Sequence, residues 1–389
     1  MNSPQTNRTM NTTGFDALET PALLLDTVRM DGNIERMRER MNRHGVHFRP
    51  HVKTNKCMAV TQRLLDAGAR GITVSTMREA EYFSAQGIKD ILYAVCLSPN
   101  KLDHALRLRQ SGVKLSVIID NAEMAQRINP QGLKDDARLE VLIEIDSDGH
   151  RSGVQPSSPE LLAIAEALQS QGMEVGGVMT HAGDSYNCRS LDSIRALAEH
   201  ERAAVVLAAD RLRAAGYSCP VVSVGSTPTA LFADELAGVT EVRAGVFVFF
   251  DLVMAGLGVC RLDEIAVSVL ATVIGHQKEK GWTLIDAGWM AMSRDRGTSK
   301  QQVDQGYGVV CSADGHLLED LIMVDANQEH GIIARRSGST AGESPFLPIG
   351  SQVRILPNHA CATAAQFPSY QTLDGDQHLA ATWQRFYGW

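Results

Sequence analysis

The sequence predicts an α/β fold in which an N-terminal (β/α)8 barrel is followed by a C-terminal β-rich domain. Two observations lead to this prediction. Between residues 46 and 245, short apolar runs alternate with longer amphipathic runs, as expected for parallel βαβ units. After Gly258, apolar runs instead recur with short Gly, Asp and Pro turns between them. Eight βαβ units in about 200 residues lie near the lower size limit of such barrels.

The barrel strands can be placed from the apolar runs. They are, in order, Val46–Pro50, Gly71–Ser75, Ile91–Val95, Leu115–Ile119, Leu139–Ile145, Val175–His181, Val221–Val224 and Glu241–Gly245. Amphipathic patterns predict helices over Met58–Ala67, Arg78–Gln86, Leu102–Gln110, Pro159–Gln169 and Leu191–Ala215. A further helix over Met30–His44 precedes the first barrel strand, which leaves the apolar run Ala22–Asp26 outside the barrel.

The second domain is predicted from runs that lack a helical period. These are Ile265–Ile274, Thr283–Asp286, Ile332–Arg335 and Val353–Leu356, and a helical pattern returns only near the C-terminus. We therefore expect three parts: a disordered or loosely attached tail at 1–18, a barrel at 19–258 and a β-rich domain at 259–389. Residues 20–26 can pair with the second domain although they precede the barrel.

Composition excludes two classes of function. The 389 residues carry a net charge of −8, and no Lys/Arg run is interleaved with aromatic residues, so we expect no nucleic-acid partner. No apolar stretch reaches the length of a membrane span, and the polar N-terminus lacks the apolar core of a secretory signal. The seven cysteines are widely spaced without a CxxC pair, which is typical of a reducing, cytoplasmic compartment.

Chemically distinctive residues follow the predicted barrel strands on one rim, where the active sites of this fold lie. In strand order they are Lys53 in Arg49–Thr54, Arg151 in Asp148–Gly153, His181 at the end of the sixth strand, Gly225, Ser226 and Thr227 after the seventh, and Gly245 and Val246 after the eighth.

These residues suggest pyridoxal 5′-phosphate. A Gly-Ser-Thr turn before a helix is typical of a phosphate cradle, to which Gly245 and Val246 add backbone groups. A lysine just past a strand end can be held rigidly and react with an aldehyde. His181 could stack on the pyridine ring, and Arg151 could bond near its phenolic oxygen. The alternatives are a surface lysine, a plain capped turn, a core histidine and a salt-bridged structural arginine.

A second candidate site is the pair His359 and Cys361. Both follow the strand-like run Val353–Leu356, and in an extended chain they point to the same side. Imidazole with thiolate suits zinc, and two protein ligands leave positions open for a substrate oxygen. The alternative is a buried histidine beside a buried cysteine. The segment Gln328–Gly331 offers acid/base groups but reads equally well as a turn.

Taken together, these motifs resemble the D-serine dehydratase-like branch of the fold-type III pyridoxal-phosphate enzymes, the group of alanine racemase. The matching segments are Thr20-Pro21-Ala22, Arg49–Thr54, Asp148–Gly153, His181–Gly183, Ser223–Thr229, Asp286–Gly288, Asn327–Gly331 and Pro357–Cys361. The resemblance implies a barrel of the alanine racemase type, a Schiff-base role for Lys53, zinc or another divalent cation on His359 and Cys361, and a homodimer with a shared active site. Related D-threonine aldolases usually have an aspartate at the position of Cys361, so the thiolate places this chain on the dehydratase side.

The expected reaction is β-elimination of water from a D-3-hydroxyamino acid, such as D-serine or D-threo-3-hydroxyaspartate, to a 2-oxo acid and ammonia. Lys53 would remove the α-proton while the metal holds the 3-hydroxyl. Three alternatives remain open: retro-aldol cleavage of the D-threonine aldolase type, amino-acid racemisation, and a non-catalytic cofactor-handling protein. Proteins of the last kind resemble the barrel half alone, so the C-terminal domain argues against it.

Overall fold

The structure, a computed structural model, describes residues 15, 17–128, 138–340, 346–375 and 377–388. Two sheets organise these residues, an eight-stranded parallel sheet and a nine-stranded, mostly antiparallel sheet. The predicted N-terminal tail lies almost entirely outside the described residues. Of the part that is described, Phe15 is buried beneath the guanidinium of Arg354 in the second sheet.

The eight predicted barrel strands are confirmed. They are β2 (His47–Phe48), β3 (Ile72–Val74), β4 (Asp90–Cys96), β5 (Lys114–Ile119), β6 (Glu140–Ile145), β7 (Val175–Thr180), β8 (Val221–Val224) and β9 (Glu241–Val242). Neighbours pair in the order β2-β9-β8-β7-β6-β5-β4-β3, all in parallel. Backbone hydrogen bonds from Val52 to Thr73 and from Thr73 to Pro50 join the two ends of this order into a ring.

Helices surround this ring. They are α1 (Thr27–His44), α2 (Met58–Asp66), α3 (Met77–Ala85), α4 (Pro99–Gln110), α5 (Ala122–Arg127), α6 (Glu160–Ser170), α7 (Leu191–Ala214), α8 (Thr227–Phe232) and α9 (Leu252–Gly256). The helices α5, α8 and α9 were not delimited from the sequence, because five or six residues are too few to establish a 3.6-residue period. In the described part of the chain, no helix combines the length and apolar character that a membrane crossing requires.

The second sheet contains the strands of the C-terminal half together with the first strand of the chain. Its members are β1 (Ala22–Asp26), β10 (Val267–Gln277), β11 (Trp282–Ile285), β12 (Gly308–Ser312), β13 (Leu317–Ala326), β14 (Gly331–Arg335), β15 (Gln352–Pro357), β16 (Ser369–Leu373) and β17 (Leu379–Gln384). The long strand β10 pairs with both β15 and β11, which closes six strands into a small barrel. Strand β1 pairs with β10 and β16 and so belongs to this sheet.

The helical pattern expected near the C-terminus is wrong. In the described part of the second domain the only α-helices are α10 (Trp289–Met292) and α11 (Ala360–Ala364), and the last two strands form the antiparallel pair β16 and β17. The alanine-rich run of β17 favours a helix locally, but pairing with β16 satisfies its backbone hydrogen bonds as an edge strand.

The C-terminal segment fastens the second domain to the barrel at the loop that follows β2. The hydroxyl of Tyr370 and the Nε of Arg385 both donate to the carbonyl of Asn55, at 2.8 and 3.1 Å. The backbone N–H of Phe386 donates to the carbonyl of Lys56 at 2.6 Å. Since Lys56 has a left-handed backbone with φ of 44°, which costs free energy in a non-glycine residue, these contacts hold a strained loop in place.

Candidate active site

A cavity of about 720 Å³ opens where the C-terminal rim of the barrel faces the second domain. All the site residues predicted from the sequence line it: Lys53, Arg151, His181, Gly225, Ser226, Thr227, Gly245, Val246, His359 and Cys361. The barrel strands supply the first eight, because the C-terminal ends of parallel strands meet on one rim. The second domain supplies the last two, at the end of β15.

Lys53 lies in the turn after β2, with its side chain exposed to the cavity. The flanking residues Val52 and Thr54 are fully buried, so the backbone on either side of the lysine is fixed by packing. The same turn is held from below by the C-terminal segment through Asn55 and Lys56. A rigid backbone with a free amine at its apex fits the role of an attacking nucleophile.

The turn after β8 packs tightly against the backbone that follows β9. Gly225 has a φ of 145°, and a Cβ there would lie 1.8 Å from the carbonyl oxygen of Arg243. Ser226 caps α8 by accepting from the Thr229 N–H at 3.3 Å, and Thr227 accepts from the Phe247 N–H at 3.1 Å. The turn is therefore fixed before any ligand arrives.

Glu201 on α7 ties this turn to the neighbouring one. Its buried carboxylate accepts from the Gly225 N–H at 2.9 Å and from the Ala182 N–H at 3.1 Å. Burial disfavours the ionised form and raises the pKa of Glu201 despite these two donors. Sequence reasoning missed this residue, because a glutamate within a long helix carries no signal that it faces inward.

His181 presents a neutral imidazole to the cavity. Its Nδ1–H donates to the Gly225 carbonyl at 2.8 Å, and desolvation lowers its pKa to about 3. The ring of Tyr186 lies 6.4 Å away from it, and burial raises the pKa of that phenol. Neutral, aromatic groups of this kind suit the face of a heterocyclic ring.

The two arginines on the barrel side differ in their surroundings. Arg151 is more than half exposed and pairs with Glu144 at 3.5 Å. Arg243 is buried, donates to the Ser223 hydroxyl at 2.9 Å and to the Thr180 carbonyl, and has its pKa lowered by desolvation. Arg243 therefore braces the barrel wall, whereas the Arg151 side chain can move toward a ligand.

His359 and Cys361 lie close together. The prediction from the sequence assumed an extended chain between them, but the chain there is helical. His359 caps α11 and Cys361 lies in its first turn. Burial opposes their charges, but mutual attraction prevails: it lowers the pKa of Cys361 and, with Asp295, raises the pKa of His359 to about 11. Without a metal the pair is therefore a thiolate beside an imidazolium, and it becomes the imidazole and thiolate donor set predicted for a metal once the ring gives up that proton.

Two residues that sequence reasoning missed join this pair. Asp295 accepts from the Nδ1–H of His359 at 2.6 Å, which leaves Nε2 of that ring for a ligand. The Thr54 hydroxyl lies 3.2 Å from the Cys361 sulfur. The second contact joins the pair to the residue next to Lys53. Both contacts bridge segments far apart in sequence, so no local spacing could have revealed them.

Gln328–Gly331 does not line the cavity. The Asn327 N–H donates to the His330 carbonyl, which makes the segment a tight turn between β13 and β14. A separate group of possible metal ligands, Cys96, Asp120 and Glu144, lies with its donor atoms within 4.8 Å of one another. In this group the Cys96 thiol donates a hydrogen bond to Glu144 at 3.1 Å. Burial and the neighbouring carboxylates raise the pKa of Cys96 strongly, so the thiol stays neutral and the three residues form a hydrogen-bonded cluster.

Two family models match the chain. The alanine racemase N-terminal domain matches residues 25–253, and a putative serine dehydratase domain matches residues 266–373. The chain is 55% identical to the D-threo-3-hydroxyaspartate dehydratase of Delftia sp. (strain HT23), over 96% of this chain and 98% of that one. It is 32% identical to the D-serine dehydratase of Dictyostelium discoideum, over 95% and 97%.

A solved structure of the Delftia enzyme superposes with a TM-score of 0.93, at 54% identity, and covers 97% of this chain and 100% of that one. Solved mutants of that enzyme carry alanine in place of a histidine and of a cysteine two positions further on, the latter in the metal-free form. A D-threonine aldolase of Arthrobacter sp. is more distant, at 28% identity over 89% of this chain and 86% of that one. The chain therefore belongs to the alanine racemase-like family in which the barrel is followed by a serine dehydratase domain, and it is a pyridoxal-phosphate-dependent lyase.

Proposed function

We propose that the protein removes water from a D-3-hydroxyamino acid, with pyridoxal 5′-phosphate and a divalent metal ion, and releases a 2-oxo acid and ammonia. The observation that supports this most is the 3.2 Å contact between the Thr54 hydroxyl and the Cys361 sulfur. It brings the metal-binding pair of one domain against the lysine turn of the other. The lysine turn can then act on the proton at Cα of a small substrate, while the pair on the opposite wall acts on the hydroxyl at Cβ.

The residues present fit the cofactor. Gly225, Ser226 and Thr227 would hold the phosphate, with Gly245 and Val246 closing the far side. At Gly245 a Cβ would lie 2.8 Å from the His51 carbonyl, so a glycine is needed for the close packing of these two turns at the cavity. His181 would cover one face of the ring, and Arg151 would lie near its phenolic oxygen. When bound, the cofactor accepts the electron pair left at Cα after proton removal.

Lys53 has two tasks in this proposal. Its Nζ would hold the cofactor at the aldehyde carbon, and the same amine, when free, would take the α-proton of the substrate. The exposed side chain can swing between these positions while its buried neighbours Val52 and Thr54 keep the turn fixed. Rotation of the side chain, rather than movement of the backbone, therefore determines where the Nζ atom removes the proton.

The residues present also fit a metal ion. Cys361 would bind through its thiolate and His359 through Nε2, because Asp295 holds Nδ1. The metal-free cysteine-to-alanine mutant of the Delftia enzyme, with its histidine two positions earlier, supports this pair. When bound, the ion withdraws charge from the 3-hydroxyl and makes it a better leaving group. We propose Zn²⁺ from the imidazole and thiolate donors.

Retro-aldol cleavage is the second candidate, since D-threonine aldolases share the fold and related sequences. The two reactions start from the same bound substrate but break different bonds. With D-threonine, dehydration yields 2-oxobutyrate and ammonia, whereas cleavage yields glycine and acetaldehyde. Measuring all four products with purified holoenzyme tests the proposal: we expect 2-oxobutyrate and ammonia, and glycine with acetaldehyde as the major products would contradict it.

We also propose that the protein works as a homodimer in the cytoplasm. Three large apolar side chains, Val95, Met290 and Val303, are 44–48% exposed, and Val95 lies at the cavity itself. A second copy would cover such a surface in the manner that the family resemblance implies. The seven cysteines are all free thiols in the structure, which suits a reducing compartment.

A further inference from the structure

Six cationic side chains line the cavity: Lys53, Arg151, Arg243, Arg294, Arg296 and Lys300. Most already have a role or a partner. Lys53 is the proposed Schiff-base residue, Arg151 pairs with Glu144, and Arg243 is buried in the barrel wall. Arg296 forms an ion pair with Asp304 at 2.7 Å and lies over the Tyr307 ring. Among the described residues, this leaves Arg294 and Lys300 without an acidic partner.

Arg294 is held in place although it is exposed. Its guanidinium lies 4.4 Å from the centre of the Trp289 ring, on which it stacks. The preceding residue, Ser293, has a left-handed φ of 72°, which turns the chain sharply at the end of α10. The following residue, Asp295, is bound to His359. Both neighbours therefore tie the position of Arg294 to the proposed metal site.

The chemistry of the substrate requires a cation at this place if it has a second carboxylate. In a 3-hydroxyaspartate, the hydroxyl and the second carboxylate are both attached to Cβ. When the hydroxyl faces His359 and Cys361, the carboxylate must lie next to them. A planar guanidinium on the same wall can bind a carboxylate through two parallel hydrogen bonds.

We propose that Arg294 binds the second carboxylate and makes the enzyme selective for dicarboxylic D-3-hydroxyamino acids. This inference rests on the proposed function, because it assigns the hydroxyl to the metal-binding pair. Lys300 is the weaker candidate, because it ends the short turn Gly297–Lys300 and presents a single flexible ammonium. Among the described residues, no aromatic ring lies beneath it.

Equilibrium binding tests the inference without turnover. D-aspartate and D-asparagine have the same shape and differ in the charge of the side chain, and both bind the holoenzyme through the cofactor. Their Kd values can be measured from the cofactor absorbance. We expect wild type to prefer D-aspartate and Arg294→Gln to reduce that preference about 100-fold, since charge-assisted bidentate bonds are lost. Arg294→Lys should restore part of it, and Lys300→Gln should keep the wild-type ratio.

The inference is overturned if wild type shows no preference for D-aspartate, if Arg294→Gln keeps that preference, or if Lys300→Gln abolishes it. A uniform loss of affinity for both ligands in Arg294→Gln also contradicts it, because it indicates a structural role. Failure of the proposed function looks different: the holoenzyme would bind both amino acids, with or without the preference, yet form no 2-oxo acid from D-serine or D-threo-3-hydroxyaspartate.

Discussion

The two walls of the active-site cavity are built in opposite ways. Apart from the exposed Lys53 and Arg151, the barrel wall consists of groups whose hydrogen bonds are satisfied within the protein, such as the half-buried His181 and the buried Ser226, with the buried Glu201 behind them. The wall from the second domain exposes charges: His359, Asp295 and Arg294 face the cavity with substantial solvent contact. The difference indicates a division of labour between the walls. In the proposed function, the barrel would hold a large cofactor in one orientation, and the second domain would act on the leaving group.

The largest expected effect comes from the barrel wall. Lys53→Ala should lower turnover on the order of 10⁴-fold or more, because the same amine holds the cofactor and takes the α-proton. Borohydride reduction of wild-type holoenzyme should attach a pyridoxyl group to Lys53, as mapped by peptide mass spectrometry. Lys114→Ala, at the far end of the barrel, should keep both the label and the activity. A label on any other lysine would contradict the account.

The second-largest expected effect tests whether the two walls act independently. Cys361→Ala should retain the cofactor absorbance but lower dehydration on the order of 10³-fold, because the loss of metal assistance removes several kcal/mol of transition-state stabilisation. The half-buried Cys188, which does not line the cavity, is the matched control, and Cys188→Ala should behave as wild type. If Cys361→Ala lost the cofactor as well, the two walls would not act separately.

A smaller effect is expected one step behind the metal ligands. Asp295→Asn should weaken metal binding about 10- to 100-fold, because an amide holds the His359 ring less firmly in the required tautomer. Competition with a chromogenic chelator measures the affinity directly. Asp263→Asn, an exposed position that pairs with Arg261, is the control and should leave the affinity unchanged. An unchanged metal affinity in Asp295→Asn would show that Asp295 does not orient the His359 ring.

The smallest effect concerns the fastening between the two domains. Tyr370→Phe removes the hydroxyl that donates to Asn55 and accepts from the Nε of Arg385, but leaves the Arg385 bond to the Asn55 carbonyl. The free energy of unfolding should fall by about 1–3 kcal/mol, as for two buried hydrogen bonds. Chemical denaturation of both proteins measures it, with the exposed Tyr387→Phe as control. An equal loss in both variants would show that the buried contact has no special role.

The barrel could be predicted from the sequence because its signals are local. All eight strands follow from short apolar runs between amphipathic helices, and Lys53, Gly225 and Gly245 follow from their positions after strand ends. The strands β12, β13, β16 and β17 were not delimited: β12 and β16 have only five residues each, and β13 and β17 mix exposed and apolar positions without a clear period. Asp295 and Thr54 were missed because their partners lie 64 and 307 residues away along the chain. The Thr54 contact depends on the packing of the two domains against each other, and the Asp295 contact depends on the fold of the second domain.

The most direct test of the account follows two signals from one metal-free sample. Holoenzyme treated with a chelator is mixed with D-serine, and cofactor absorbance and pyruvate are recorded together, before and after addition of Zn²⁺. We predict that the cofactor stays bound without the metal and that its absorbance changes when the amino acid is added. Pyruvate formation should nearly stop in the metal-free enzyme, and Zn²⁺ should restore it. Undiminished pyruvate formation by the metal-free enzyme would contradict the role given to His359 and Cys361.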